Sequence, residues 1–392
     1  MGLTSRSLLY TVVLVAVLCV VLTVWLWPRM AGRGVLPVLG RLGAILVTQL
    51  TILSSLLLAV NSANSFYGTW GELVGKYDRA PGRITPVTGG GGAGTVDAGQ
   101  GGLVRPAGTE GQGGMNFPKG PKEKVGAVES VRLVGRRSGV VEPALVYLPP
   151  QYFQEQYKRH RFPVIVAISG YPGGVDSLSK HLQVPKTASD LLAEKKMQPT
   201  VIVMLRPTIQ PPRDTECVDV PDGPQAQTYF THDVPEALRS AYRVGHQASA
   251  WAALGYSSGG TCALELALRQ PKVYPVAAAL SPDYRIHNDA TTGNLFGGGE
   301  EGKQRKREHD LFWRLENLPV PRVSLLVTSS KQGEKNFKDT EKFVRAAKDK
   351  PLTVAQMILE SGSHNFTTWR REIGPALEWT SKQLVFPQDV QN

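Results

Sequence analysis

An α/β domain with a mostly parallel central sheet, preceded by a hairpin of two transmembrane helices, is the fold class that the sequence predicts. Two long uncharged apolar runs lie in the first 65 residues, a glycine-rich stretch follows, and short apolar runs then alternate with helical patterns. Such alternation is typical of a parallel sheet covered on both faces. We therefore divide the chain into a membrane anchor (1–65), a juxtamembrane segment with a flexible linker (66–125) and a globular domain (126–392).

The two apolar runs occupy residues 8–27 and 42–60, and neither contains a charged side chain. A run of about 20 apolar residues is long enough for a helix to cross the hydrocarbon core of a bilayer. Trp25 and Trp27 stand at one end of the first run, where indole rings favour the membrane interface. A cleavable signal peptide is the alternative for the first run. Because a second run follows closely, the pattern favours two transmembrane helices.

The arginines around these runs predict the orientation of the hairpin. Arg29, Arg33 and Arg41 lie between the runs, whereas the N-terminal tail contains only Arg6. Short loops rich in Lys and Arg tend to remain on the cytoplasmic side. We therefore expect a multi-pass protein of the cell membrane whose chain after Val60 is extracytoplasmic.

Charge and composition narrow the range of partners. The formal net charge is +11 and the sequence pI is near 9.5. A basic balance favours contact with anionic surfaces such as phospholipid headgroups or acidic wall polymers, or it reflects only a solvated basic surface. The sequence shows no recognised nucleic-acid module, so we expect no nucleic-acid partner. It also shows no CxxC motif or His/Cys ligand cluster that would predict a metal site.

Residues 89–120 contain 13 of the 41 glycines and almost no periodic apolar pattern. Such a composition does not bury enough apolar surface to offset the entropy that is lost on ordering. We interpret this segment as a flexible tether. The globular domain then begins near residue 126 and comprises about 267 residues, a size that suits a single α/β domain.

Short runs rich in Val, Ile and Leu predict the buried strands of the globular domain. These runs cover residues 164–169, 200–205, 249–254, 276–280, 323–328 and 354–359. Helical patterns between and after them cover residues 187–195, 235–243, 260–269 and 338–348. Residues 131–134 and 144–148 predict an antiparallel hairpin at the edge of the sheet. In open α/β sheets the functional site lies at the carboxyl ends of the strands, so the loops at that edge hold the candidate residues.

The motif Gly-Tyr-Ser-Ser-Gly at residues 255–259 is the strongest functional signal in the sequence. It follows an apolar strand and opens a helix, as does the nucleophile elbow of α/β-hydrolases, in which a serine lies on a sharp strand-to-helix turn. Small residues flank the serine because neighbouring backbone approaches closely. We interpret Ser257 as a nucleophile, and a glycine-rich turn without chemistry is the alternative.

A serine nucleophile needs a base, and His364 is the best candidate among the seven histidines. It follows the last predicted strand. It is also the last histidine of the chain, as the order serine, acid, histidine of this fold requires. A loop histidine is otherwise usually a surface residue, but this position favours the catalytic role.

Three carboxylates compete for the role of the acid that orients the histidine. Glu334 is the first carboxylate after the predicted strand 323–328. Asp283 follows the preceding strand, and Asp339 resembles a residue of a first helical turn, where it would interact with the helix dipole. We favour Glu334 and keep Asp283 and Asp339 as alternative acids.

The oxyanion of a tetrahedral intermediate needs two N–H donors. We expect one from Ser258, the residue after the nucleophile. We expect the other from the loop after strand 164–169, where Tyr171 has an N–H and Pro172 has none. A Gly-Pro turn without this role is the alternative.

Two cysteines of the globular domain predict a disulfide. Cys262 lies on the helix after the nucleophile, and Cys217 lies in the acidic segment 213–219. An extracytoplasmic location favours a disulfide between them, which would hold this segment beside the active site. Two unpaired buried thiols are the alternative.

These residues resemble an esterase family of actinobacterial α/β-hydrolases that includes the antigen 85 mycolyltransferases and esterase D-like enzymes. The resemblance covers roughly residues 126–385. It rests on residues 169–171, the loop 214–221, the elbow at Ser257, residues 291–297, and residues 363–365 with Trp369. It implies a Ser-His-Asp/Glu triad, carboxylic ester hydrolysis or acyl transfer, and neither a metal nor an organic cofactor.

Carried over residue by residue, the family's nucleophile corresponds to Ser257, its histidine to His364 and its acid to Glu334. Its oxyanion donors correspond to Tyr171 and Ser258. The two-span anchor differs from the secreted mycolyltransferases and resembles membrane-tethered actinobacterial esterases.

We expect an extracytoplasmic esterase that cleaves carboxylic esters of a lipid or cell-envelope component through an acyl-enzyme on Ser257. The first alternative is a mycolyltransferase-like acyltransferase that passes the acyl group to a sugar or wall hydroxyl, because both enzymes use the same catalytic residues. A peptidase also uses such a triad. A non-catalytic envelope-binding module, which would retain the fold alone, is the alternative from a different class.

Overall fold

The chain divides into two units, residues 1–79 and 80–392. The computed structural model describes three stretches of it, residues 6–32, 34–64 and 102–387. The predicted juxtamembrane segment and the first part of the glycine-rich tether lie outside these stretches.

The described part of the first unit contains two helices, α1 (Arg6–Leu26) and α2 (Val35–Asn64), with a 3₁₀ turn at Trp27–Met30 after α1. Both helices are long and apolar enough to cross a membrane by length and composition. The hydroxyl groups of Thr23 and Thr48 form a hydrogen bond of 2.9 Å between the helices. The Thr48 hydroxyl also donates to the Ala44 carbonyl at 2.8 Å, so the bond between the helices gives the Thr23 hydroxyl a partner that an apolar environment would not supply. This pair is a candidate transmembrane hairpin.

The second unit is built on one sheet. Its strands are β1 (Val104–Pro106), β2 (Ala127–Val134), β3 (Val141–Leu148), β4 (Val164–Ile168), β5 (Val201–Leu205), β6 (Trp251–Tyr256), β7 (Val276–Leu280), β8 (Ser324–Gln332) and β9 (Thr353–Ser361). Their spatial order is β1-β2-β3-β5-β4-β6-β7-β8-β9. The pairs from β5 to β9 are parallel, and the pairs that join β1, β2, β3 and β5 are antiparallel.

The helices of this unit lie between and after the strands. They are α3 (Lys122–Val125), α4 (Val184–Ala193), α5 (Ala226–Thr228), α6 (Val234–Ala241), α7 (Ser258–Arg269), α8 (Gly299–Glu308), α9 (Leu311–Asn317), α10 (Phe337–Ala347) and α11 (Phe366–Gln383). Short 3₁₀ segments cover Pro150–Phe153, Glu155–Tyr157 and Ala248–Ala250, and π-helical turns cover Ser177–His181 and Tyr229–Asp233.

Alternate residues of β4 reach two separate apolar cores, because successive side chains of a strand point to opposite faces of the sheet. Val164, Val166 and Ile168 belong to one core, which also receives apolar side chains of α7 and α10. Ile165 and Ala167 belong to the other core, which receives those of α4 and α11. The sheet is therefore covered on both faces, which explains why β4 contains no polar residue.

The direction in which successive strands are added to the sheet reverses at β4, because β5 lies on one side of β4 and the next strand in the chain, β6, lies on the other. In an open parallel sheet this reversal leaves a crevice at the carboxyl ends of the strands, where ligands bind. The turn after β6 contains the predicted nucleophile. The fold thus places the elbow motif at the topological switch point.

The predicted fold class, an α/β-hydrolase fold with a mostly parallel sheet, is confirmed. All six predicted parallel strands are present, although β8 continues four residues beyond its predicted end at 328. One strand escaped prediction: β1 lies inside the segment predicted as a flexible tether, and it pairs with β2. The sheet therefore begins earlier than the predicted domain boundary at 126, because backbone pairing orders a segment that buries little apolar surface.

Candidate active site

A sharp turn between β6 and α7 holds Ser257. Its φ of 56° and ψ of −130° lie in a region that residues other than glycine rarely adopt. The flanking residues must be glycines because the turn leaves no room for a side chain. A Cβ on Gly255 would lie 2.1 Å from the carbonyl oxygen of Gly259. A Cβ on Gly259 would lie 2.3 Å from the carbonyl oxygen of Ile168. The turn therefore depends on these small residues, and it presents Ser257 at the carboxyl ends of the strands.

The loop between β9 and α11 brings His364 to the serine. The distance between His364 Nε2 and Ser257 Oγ is 2.8 Å, which is a hydrogen bond. Asn365 caps α11 by accepting from two N–H groups of its first turn, which fixes the end of the loop. The indole of Trp369 contacts the imidazole edge to face, with ring centroids 5.0 Å apart. The histidine is thus held on one side while its side chain remains 46% exposed.

Glu334 follows β8 after a single glycine and lies behind the histidine. Its Oε1 is 3.7 Å from His364 Nδ1, and its side chain is fully buried. This distance is too long for a hydrogen bond, but such catalytic contacts often tighten when substrate binds. Ser281 Oγ donates to Oε1 at 2.6 Å, and Ser329 Oγ donates to Oε2 at 2.9 Å. Two hydroxyl donors therefore hold a buried carboxylate next to the imidazole.

Opposing effects act on the pKa of Glu334. Burial acts to raise it, but the contacts with His364, Ser281 and Ser329 together outweigh burial and hold the pKa below its usual value. Glu334 is therefore ionised at neutral pH. An ionised carboxylate at this position would stabilise an imidazolium on His364.

The other two candidate acids have different surroundings. Asp339 lies in the first turn of α10, and its carboxylate is 3.7 Å from the Arg285 guanidinium. Asp283 is exposed, and its backbone N–H donates to the hydroxyl of Thr261. Within residues 102–387, neither carboxylate forms a hydrogen bond or an ion pair with His364. The geometry therefore favours Glu334 over both.

The two predicted oxyanion donors lie next to each other. The N–H of Tyr171 donates to Ser258 Oγ at 2.7 Å, so it is directed at the elbow. The N–H of Ser258 is the first of α7 and has no partner within its helix. A Cβ on Gly170 would lie 2.9 Å from the Cβ of Ser257, which shows how closely the two loops approach. The hydroxyl of Ser258 thus accepts the hydrogen bond that an oxyanion would take from Tyr171.

The acidic segment before α5 is joined to the elbow helix. Cys217 and Cys262 form a disulfide in the structure, and both residues are buried. On the same segment, Asp214 Oδ1 accepts from the N–H of Glu216 at 3.1 Å. Burial raises the pKa of both carboxyls, and their mutual repulsion raises that of Glu216 further. The segment therefore carries less negative charge than its sequence indicates.

Four residues around the candidate triad were given no role by the sequence reasoning, although Trp369 is among the residues that carry the family resemblance. Ser281 and Ser329 hydrogen-bond to Glu334, and Trp369 Nε1 donates to Ser281 Oγ at 3.0 Å. Glu372 is a completely buried carboxyl on α11, one turn beyond Trp369. The position of Ser281 immediately after β7 was a weak signal, whereas nothing local in the sequence distinguishes Glu372.

The arrangement suits attack by a hydroxyl on a carbonyl carbon. It contains a hydroxyl hydrogen-bonded to an imidazole, a carboxylate behind that imidazole, and two backbone N–H groups beside the hydroxyl. Within the described part of the chain, no group of three or more His, Cys, Asp or Glu side chains is arranged to hold a metal ion.

The sheet topology and this constellation define a protein of the α/β-hydrolase type. The chain belongs to the esterase family described as "Putative esterase", whose match covers residues 142–387. An uncharacterised protein of Corynebacterium glutamicum is 24% identical over 287 residues, which are 66% of this chain and 63% of that protein. This chain thus spans less than two thirds of that relative's length.

Solved structures with the same fold include a ferulic acid esterase, which is 15% identical with a TM-score of 0.55 over 66% of this chain and 98% of that one. The fluorophosphonate-binding serine hydrolase F of Staphylococcus aureus is 16% identical, with a TM-score of 0.53 over 65% and 98%. The S-formylglutathione hydrolase of Staphylococcus aureus is 17% identical, with a TM-score of 0.51 over 65% and 98%. At these identities the likeness establishes the fold alone.

Proposed function

We propose that this protein is an extracytoplasmic serine esterase that cleaves carboxylic esters through an acyl-enzyme on Ser257. The observation that carries the proposal is the 2.8 Å hydrogen bond between Ser257 Oγ and His364 Nε2. Membership of the esterase family supports an ester as the substrate. The structural neighbours named above, which include a ferulic acid esterase and a serine hydrolase, agree with this assignment.

In the proposed mechanism, Ser257 Oγ attacks the ester carbonyl carbon while His364 accepts its proton. Glu334 stabilises the resulting imidazolium. The oxyanion accepts hydrogen bonds from the N–H groups of Ser258 and Tyr171. To do so it replaces the Ser258 hydroxyl as the acceptor of the Tyr171 N–H. His364 then gives the proton to the departing alcohol. A water molecule, deprotonated by the same imidazole, releases the acid and restores Ser257.

An extracytoplasmic position rests on two independent features. The excess of arginines between the apolar runs favours a cytoplasmic loop, which would put both ends of the hairpin outside. The disulfide between Cys217 and Cys262 is of the kind that persists in oxidising compartments. The anchor would hold the hydrolase next to the membrane, where lipid and cell-envelope esters are its candidate substrates.

The test measures the hydrolysis of p-nitrophenyl esters of graded chain length by the full chain in detergent. We expect Ser257→Ala and His364→Ala to lower kcat/KM by about a thousandfold or more, because nucleophile and base act as a unit. Ser363→Ala is the matched control, since Ser363 is an exposed neighbour of His364. Wild-type turnover by Ser257→Ala would refute the proposal.

Hydrolysis and transfer are separated by a second measurement. Glycerol or a sugar is added as a hydroxyl acceptor, and the acylated acceptor is quantified against free acid. We expect free acid to be the main product. If acylated acceptor predominates and Ser257→Ala abolishes it, the protein is an acyltransferase that uses the same residues.

A further inference from the structure

A second carboxyl group lies behind the acid of the proposed triad. Glu372, on α11, has no exposed surface. Among residues 102–387, no group forms a hydrogen bond of good geometry with either of its carboxyl oxygens. An ionised carboxylate without partners is costly to bury, so such a group retains its proton. Burial and, to a smaller extent, the nearby Glu334 together raise the pKa of Glu372 to about 8.

The hydroxyl of Thr328 acts on both Glu372 and Ser281. This hydroxyl acts against the effect of burial on the pKa of Glu372, and it accepts the N–H of Ser281 at 3.2 Å. Ser281 in turn donates to Glu334. One helical turn earlier on α11, Trp369 donates to Ser281 Oγ. Two residues on one face of α11 therefore act on Ser281: Trp369 directly and Glu372 by way of the Thr328 hydroxyl. Ser281 in turn contacts Glu334.

We propose that Glu372 is a positioning residue that must remain protonated for Glu334 to support His364, so that alkaline solution inactivates the enzyme by ionising Glu372. This inference rests on the proposed esterase function of the Ser257 site. With Glu372 neutral, Glu334 carries its negative charge behind the imidazole without a second charge on Glu372 beside it. With Glu372 ionised, repulsion between two buried carboxylates weakens the contacts of Glu334.

The surroundings decide which carboxyl keeps the proton. Glu334 receives two hydroxyl hydrogen bonds and faces His364, whereas Glu372, among the described residues, faces no imidazole and has only the Thr328 hydroxyl acting on it. Two neighbouring carboxyls in unlike environments are driven to opposite protonation states. Arg371, the adjacent cation on α11, lowers the pKa of Glu372, but this side chain is exposed and its effect is smaller than that of burial.

Other elements packed against α11 add little charge near Glu372. The strand β7 has no ionisable side chain, and Lys331 of β8 forms an ion pair of 2.6 Å with Glu360. The imidazole of His181, on the π-helical turn Ser177–His181, contacts Phe366 at the start of α11. On α4, Lys186 and Asp190 form an ion pair of 2.6 Å with each other. Glu334 and Arg371 are therefore the charged groups that act on Glu372.

The test is the pH profile of kcat/KM between pH 6 and pH 9.5, with p-nitrophenyl butyrate and the full chain in detergent. For the wild type we expect a fall of about tenfold from pH 7 to pH 9, as a single ionisation with a pKa of about 8 requires. Glu372→Gln, which mimics the neutral acid, should retain wild-type activity at pH 7 and lose this fall. Glu378→Gln is the matched control, because its carboxyl lies on the same helix but is partly exposed and pairs with Lys382.

A second variant keeps the test decisive if the glutamine variant fails to fold. Thr328→Val removes the hydroxyl that lowers the pKa of Glu372, so the alkaline fall should move to higher pH. An unchanged profile in Glu372→Gln, or in Thr328→Val if only that variant folds, overturns the inference. Ser257→Ala separates the two proposals, because wild-type turnover in that variant refutes the esterase function itself.

Discussion

Replacing Ser281 by alanine removes one of the two hydroxyl donors of Glu334 and leaves the rest of the proposed triad in place. The lost hydrogen bond is short, 2.6 Å, and its acceptor is a buried carboxylate. The same change leaves the indole N–H of Trp369 without its acceptor. Two interactions behind His364 therefore disappear together, although neither touches substrate.

The size of the effect follows from the charge on the acceptor. A hydrogen bond to a charged group contributes about 1.5–3 kcal/mol. If the transition state loses all of this stabilising free energy and the ground state loses none, kcat/KM decreases by about 10- to 150-fold, since 1.4 kcal/mol corresponds to a factor of ten. Ser329 still donates to Glu334, so we expect the lower end of this range, about tenfold.

The assay is ester hydrolysis at pH 7 with Ser330→Ala as the matched control. Ser330 is a buried serine of the same region whose hydroxyl has no hydrogen-bond partner among the described residues. Its removal should leave kcat/KM unchanged. Equal activity of wild type and Ser281→Ala would refute the role given to Ser281 and weaken the assignment of Glu334.

The stability of Ser281→Ala should also depend on pH. Because the folded-state pKa of Glu334 is lowered, its ionised form contributes stability above the unfolded pKa, and this stability is lost as pH falls through the folded pKa. The deficit of Ser281→Ala in urea unfolding should therefore be largest near pH 7 and narrow below about pH 4. A deficit that does not change with pH would show that the hydroxyl does not act through Glu334.

Three further variants test the surrounding structure. Gly259→Ala should lower the free energy of unfolding by about 3 kcal/mol and abolish turnover, because the new Cβ would overlap a carbonyl oxygen of β4. A melting curve like that of the wild type would contradict this. Replacing both Cys217 and Cys262 by serine should cost about 2–4 kcal/mol in urea unfolding, since their disulfide closes a loop of 45 residues, and an unchanged midpoint would contradict this. Ser258→Ala should keep kcat/KM within about threefold, because the proposed donors are backbone N–H groups; a hundredfold loss would assign the role to the hydroxyl.

The parts of the site that were predictable are those that local sequence encodes. The elbow motif at 255–259 must have small residues where backbone segments meet, and the structure shows these close approaches at Gly255 and Gly259. His364 was selected from chain order, and the structure places it beside Ser257 because a parallel sheet brings its last loop to the same edge as the elbow. Glu334 was selected as the first carboxylate after β8, and the structure places it behind His364 even though the predicted strand was too short.

The remaining residues depend on packing that the sequence does not display. Ser281, Trp369 and Glu372 belong to two elements far apart in the chain, which meet only because α11 packs across β7 and β8. The strand β1 was missed for a similar reason, since its pairing with β2 joins segments more than twenty residues apart. Apolar periodicity identifies which face of an element is buried, but not which polar group it meets there.

The central claim is that Ser257 is the nucleophile, and covalent labelling tests it most directly. The full chain is incubated with a fluorophosphonate, digested, and mapped by mass spectrometry, beside Ser257→Ala and His364→Gln. We predict a single adduct on the peptide that contains Ser257, no adduct in Ser257→Ala, and much slower labelling in His364→Gln. An adduct on a different serine, or no adduct on well-folded wild-type protein, would contradict the account.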